Sequence, residues 1–170
     1  MKKILLTLFA VALCSGAHAQ KYAFVNTESI FKAMPEYTST LEKIDKLARD
    51  YQAQVDAEYN AIAEMYERYQ YQKSNLSETA RKQIEEQIIN REKTAGENQR
   101  KVFGQDGELM KKRMEMLKPV QDKVFAAIDQ LAKAGGYDMV VDIASNTTLV
   151  YYNPALDLST QVLGRLGITK

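Results

Sequence analysis

Two acid pairs, Glu85/Glu86 and Asp138/Asp142, come nearest to general acid–base chemistry, because carboxylates held close together drive their proton affinities apart. Their spacing argues against that use. Adjacent residues on a helix face different ways, and positions 138 and 142 of a strand share a face with no base nearby. Carboxylates this abundant are mostly surface groups. Nucleophilic and metal chemistry have thinner support still, since the chain holds one cysteine, Cys14, and one histidine, His18.

Both residues fall in a segment that reads as a signal peptide. Lys2 and Lys3 form a basic start, Ile4 to Leu13 an apolar run, and Ala17-His18-Ala19 a small-x-small cleavage site. Removing the first 19 of 170 residues leaves 151, beginning at Gln20. Lys+Arg falls from 23 to 21 against 22 Asp+Glu, a net charge of −1, and no Cys, His or Trp remains. Disulfides, thiolate or imidazole metal sites, haem ligation, and Ser-His-Asp or Cys-His catalysis each lose an obligatory member. The expectation is a chain with no catalytic residues, metal or cofactor. Its charge gives no basic footprint for nucleic acid. A rival reading makes Val11-Ala12-Leu13-Cys14 a lipidation site, but the large Leu13 stands where a small residue is wanted. The apolar run is too short to span a bilayer, so an exported, soluble product is expected.

The elements that would position any binding surface are helical. Leu41, Ile44, Ala48, Tyr51, Val55, Tyr59, Ile62, Tyr66 and Tyr69 follow one another at steps of 3 or 4, and these eight steps cover 28 residues. A mean step of 3.5 is the coiled-coil period. The spacing predicts a helix from just after Pro35 to about Gln72, a turn at Ser74-Asn75-Leu76-Ser77, and a returning helix from about Glu78 to Lys118 with Ser77 as N-cap. So short a turn makes the pair an antiparallel hairpin. The returning helix is poorer: among the 19 residues between Ile89 and Leu109 only Ala95, Val102 and Phe103 are apolar. Gly96, Gly104 and Gly107 each cost about 1 kcal/mol in a helix interior, so a bend or fraying is expected there, and the three are hinge candidates.

Both ends of the chain read as globular. Tyr22–Val25 is a strand candidate, Thr27–Met34 a short helix, and an amphipathic helix follows Pro119 with Val120, Val124, Phe125, Ile128 and Leu131 on one side, closed by Gly135-Gly136. Strand candidates at Met139–Ile143 and Leu149–Tyr152 flank a turn at Ser145-Asn146-Thr147, and Ser159 is placed to cap a last helix. The fold class expected is α+β, mostly α: a small β-rich body (20–37 and 118–170) built from both chain ends, with a helical hairpin arm (38–117) inserted between them. So thin a core with open strand edges calls for oligomerisation.

The hairpin carries the candidate contact residues. The tip, residues 68 to 82, holds Arg68, Lys73, Arg81 and Lys82 against Glu78, whereas 120 to 160 is net acidic. Tyr51, Tyr59, Tyr66, Tyr69 and Tyr71 cluster with Met65 on the outward helix, where flat rings and an adaptable thioether suit weak contact with varied partners. Tyr51, Tyr59 and Tyr66 lie on the stripe and read as packing; Tyr71 lies off it. Lys111, Lys112 and Arg113 form a basic run beside Met110, Met114 and Met116.

In this setting the chain resembles the Skp/OmpH family of periplasmic chaperones. The resemblance rests on the segment Tyr22 to Phe31, on Leu117 to Val124, Ala127-Ile128, Gly136 to Asp142, and Val150 to Ser159, recurring in order over essentially all of the exported chain. It implies a homotrimer whose bodies carry three arms around a cavity, capturing unfolded outer-membrane proteins without ATP. The basic tip and the 111–113 run are placed to meet anionic lipid, lipopolysaccharide included, or acidic client stretches. Met65, Arg68, Tyr69, Tyr71, Lys73, Arg81, Lys82, Lys111, Lys112 and Arg113 are the contact candidates. The competing reading is a structural envelope coiled coil that docks one fixed partner.

Overall fold

The computed structural model describes residues 20–145 and 148–168. The predicted signal segment with Cys14 and His18 lies outside them, as do Asn146 and Thr147. The chain forms two compact units: one takes both ends, up to Ala33 and from Lys123, and the other spans Met34–Asp122.

In the first unit, strand β1 (Tyr22–Val25) pairs in parallel with β2 (Met139–Asp142), Ala23 facing Val140 and Phe24 facing Val141. Alternation along β1 buries Ala23 and Val25. On its other edge β1 receives the amide of Leu158 at the Phe24 carbonyl, 2.8 Å away. Helix α1 (Thr27–Ala33) follows β1 directly because Asn26 caps it, its side-chain oxygen accepting the Ser29 amide at 2.9 Å. Asp142, at the end of β2, accepts from the Thr27 amide at 3.1 Å and the Thr27 hydroxyl at 2.6 Å. Ile30, Val124 and Val162 are fully buried.

Two expectations fail in this unit. Leu149–Tyr152 is not a strand, because no strand partner meets it among the described residues and Val150 and Tyr151 are 98% and 80% exposed. The sheet accordingly has two strands instead of three. Ser159 does not cap the last helix, α5 (Ser159–Arg165). It is the first helical residue, and its hydroxyl accepts the Asn26 amide at 2.8 Å instead.

The second unit opens with α2 (Pro35–Gln72), preceded by buried Met34 in extended geometry and started by Pro35, whose fixed φ suits a first helical position. A 3₁₀ turn (Lys73–Asn75) leads to α3 (Glu78–Phe103), capped by the Ser77 hydroxyl accepting from the Ala80 amide at 3.3 Å. Ile62, Tyr69, Ile88 and Ala95 form the seam, with Met65, Leu76 and Ile84 packed against it.

The returning arm is not one helix to Lys118. It stops at Phe103, turns through Gly104–Gly107, and restarts as α4 (Glu108–Gly135). A Cβ at Gly104 would lie 2.4 Å from the Arg100 carbonyl oxygen, and one at Gly107 2.3 Å from that of Val102, so the turn needs glycine at both. Gly96, by contrast, lies inside α3. The expected boundary at Pro119 is absent, since α4 runs through it. Proline in a helix interior costs about 3 kcal/mol. Val120, Val124 and Ala127 continue a buried stripe just beyond it, and each large side chain buried returns about 1.5–3 kcal/mol. The helix ends as expected, with Gly136 at φ 62° and the Tyr137 amide bonded to the Ala132 carbonyl at 3.0 Å.

Candidate functional site

The hairpin leaves much of its apolar surface uncovered. Of the predicted stripe, Ile44, Val55, Ile62 and Tyr69 are buried, while Tyr59 and Tyr66 are 39% and 52% exposed. The cause lies opposite them. Between Ile89 and Val102 helix α3 offers only Ala95 as an apolar partner, so the seam takes roughly one stripe residue per heptad. Polar contacts fill the gap: the Asn98 amide donates to both Glu58 oxygens, at 3.1 and 3.2 Å, and the Tyr59 hydroxyl bonds Gln99 at 3.1 Å.

Tyr69, a contact candidate in the sequence, is 4% exposed and belongs to the seam. Its hydroxyl donates to the Glu85 carboxylate, which lifts the phenol above its ordinary range, with burial adding to the effect. Met65 is half-buried against the same cluster. Tyr71 is 88% exposed. Tyr66 and Ile89, neither of them a sequence candidate for contact, rim an open groove of about 310 Å³ with Tyr69, Lys73, Glu85 and Glu92. Sequence reading assigns an isoleucine at helical spacing to a core. Ile89 adjoins Ile88, the residue that α3 turns into the seam, and adjacent helix positions face different ways, so Ile89 is left outside it.

The tip cations are held locally. Lys73 places its ammonium 5.5 Å from the Tyr69 ring centroid, Arg81 donates from Nε to the Leu76 carbonyl at 3.1 Å, Arg68 from Nε to the Glu64 carbonyl at 3.4 Å, and Lys82 pairs with Glu78 at 3.3 Å. Of the second basic run, Lys112 bonds Glu115 at 2.8 Å, which raises its pKa, while Lys111 and Arg113 are exposed. Met110 and Met114 beside them are 46% and 58% exposed.

Three of the four acids that the sequence offers for chemistry, Glu85, Asp138 and Asp142, serve the fold. Asp138 accepts the Lys21 amide at 2.7 Å. Burial would raise the pKa of Asp142, but bonds from Thr27, Ala144 and Ser145 outweigh it and leave it below the usual carboxylate range. Among the described residues no helix is long and apolar enough to cross a membrane.

A two-stranded unit made from both chain ends, an inserted helical hairpin and a partly uncovered aromatic stripe define a mostly helical α+β fold with a hairpin arm. The chain belongs to the OmpH-like family, described as outer membrane protein (OmpH-like), whose sequence profile matches residues 21–166. It is 24% identical over 156 residues to the chaperone protein Skp of Yersinia enterocolitica, an alignment covering 91% of this chain and 90% of that one. Its fold is similar to that of an OmpH-like protein from Caulobacter crescentus, with a TM-score of 0.72 at 13% identity, covering 89% of this chain and 86% of the other. The family is one of chaperones rather than enzymes.

Proposed function

We propose that the protein is an ATP-independent periplasmic holdase that binds unfolded outer-membrane proteins after export and keeps them from aggregating. One observation carries this reading: Tyr66 and Ile89 line one open groove of the hairpin, and Phe103 and Met110 another, while all four side chains are more than a third exposed. Clustered apolar surface of this kind marks an interaction site, and rings and thioethers among cations accept varied sequences. Likeness to a protein named as a chaperone, within a family described as outer membrane protein (OmpH-like), supports the choice of client.

In this reading residues 1–19 are removed after Ala19, the 20–37 and 118–170 body assembles as a homotrimer, and the 38–117 arms act together. Joining three weakly binding arms raises their effective concentration on one client. Gly104 and Gly107 are the hinge, and Arg68, Lys73, Arg81, Lys82 and the Lys111–Arg113 run contact acidic client stretches, anionic lipid or lipopolysaccharide. The test dilutes a urea-unfolded outer-membrane barrel into buffer without nucleotide, following light scattering and the mass of the complex. Scattering should vanish at stoichiometric protein, with one barrel per trimer. Undiminished scattering at excess protein sinks the proposal.

A further inference from the structure

The hairpin contains a second concavity whose origin can be read residue by residue. On α2 the apolar stripe carries its smallest member, Ala48, between Ile44 and Tyr51. Across from it the chain leaves α3 at Phe103 and turns through Gly104–Gly107 before α4 begins, so two helix ends form the facing wall. A small side chain opposite a helix break leaves space that neither side fills. The result is a hollow of about 210 Å³ between Ile44 and Ala48 on one side and Val102, Phe103, Leu109 and Met110 on the other, with Asp45 and Arg113 completing its lining.

An apolar cavity of about 150 Å³ in a protein interior accepts benzene, so this hollow has room for a phenyl or phenol ring. Its lining favours a ring over an aliphatic chain. The Met110 thioether makes favourable contacts with aromatic edges, the Arg113 guanidinium is attracted to an aromatic face, and the Asp45 carboxylate is an acceptor for a phenolic hydroxyl.

We infer that this hollow is a subsite for one aromatic side chain, tyrosine above all, of an extended client strand. The inference rests on the client-holding role proposed above. Outer-membrane barrels carry girdles of aromatic residues at both interfaces, so an unfolded barrel presents such side chains repeatedly along its strands.

The probe is 4-methylphenol, titrated into the protein while the methyl resonances of Ala48, Leu109 and Met110 are followed. The control is 4-methylcyclohexanol, which keeps the shape and hydroxyl but lacks the aromatic ring. Saturable shifts with the phenol, and binding of the alcohol at least about tenfold weaker, are expected. Ala48→Leu fills the hollow with a good helix former, and should remove the shifts while the hairpin melts no lower than wild type. Equal response to the two probes, no response to either, or shifts that persist in a folded Ala48→Leu protein overturn the subsite; the probe comparison needs only the wild type. Run beside the aggregation assay, protection of the barrel without phenol binding removes the subsite and leaves the holdase standing, whereas phenol binding without protection removes the holdase and, with it, the client strand as the occupant of a hollow that still takes an aromatic ring.

Discussion

Replacing Tyr69 with alanine distinguishes a seam residue from a client contact. The ring is 4% exposed among Ile62, Ile88 and Ala95, its hydroxyl donates across the hairpin to Glu85, and Lys73 lies over its face. Deleting a buried aromatic ring costs about 3–5 kcal/mol. A seam two helices thick relaxes around the loss more easily than a closed core, so a value near the low end, about 3 kcal/mol, is expected. Tyr69→Phe removes only the hydroxyl and frees an exposed carboxylate to bind water, which costs about 0.5–1.5 kcal/mol. The sign of its pH dependence follows from the raised phenol pKa. The hydroxyl's contribution is complete below the unfolded value of about 10 and is lost as pH rises through the higher folded value. Urea unfolding followed by circular dichroism gives the stabilities, and amide exchange over residues 60–92 localises the effect. If Tyr69→Ala kept wild-type exchange and stability but lost client affinity, the assignment to the seam would be wrong.

Asp142→Ala should cost about 2 kcal/mol, because it strips a charged acceptor from the Thr27 amide and hydroxyl. With its pKa lowered, the stability that Asp142 supplies is complete above the unfolded carboxylate value of about 3.9 and fades as pH falls through the folded one; unfolding curves at pH 7 and pH 3 should show wild type and variant converging at the lower pH. Gly136→Ala places a Cβ at φ 62° and should lower stability by about 1–2 kcal/mol, read from thermal melts. Deleting residues 41–115 should leave a folded oligomer by light scattering that no longer protects an unfolded barrel. A monomeric deletion product would refute the division of labour between body and arm.

What the sequence reveals depends on how local each cause is. Pro35 and Ser77 mark their helix starts through a fixed φ and a hydroxyl acceptor, and Gly136 marks an end through positive φ, so all three are legible from a few neighbouring residues. At Gly104–Gly107 the glycines make only a bend or fraying legible; the full break follows from how closely Gly104 and Gly107 approach the Arg100 and Val102 carbonyls, which composition does not show. Pro119 misleads because its local cost is overridden by the burial of Val120 and Val124. Leu149–Tyr152 misleads in the opposite direction: its composition suits a strand, but pairing requires an edge that this sequence stretch cannot reveal. At the tip the difficulty is one of partners. Ile88 and Ile89 are the same residue type, yet one is 5% and the other 61% exposed, because only Ile88 meets Ile62 and Tyr69 in the seam.

That dependence on the opposite helix links the fold to the surface it presents. Had α3 continued an apolar heptad pattern between Ile89 and Leu109, Tyr59 and Tyr66 would be sealed in a regular seam and the hairpin would be a rigid rod with little left to bind. Its polar and glycine-rich stretch has three consequences instead. The tyrosines stay partly in solvent, Asn98 and Gln99 replace apolar packing with hydrogen bonds to Glu58 and Tyr59, and the helix breaks opposite Ala48, opening the hollow. Filling α3 with leucine at the seam positions facing Tyr59 and Tyr66 should therefore stabilise the hairpin and weaken its hold on unfolded chains in the same variant, because one set of side chains serves both.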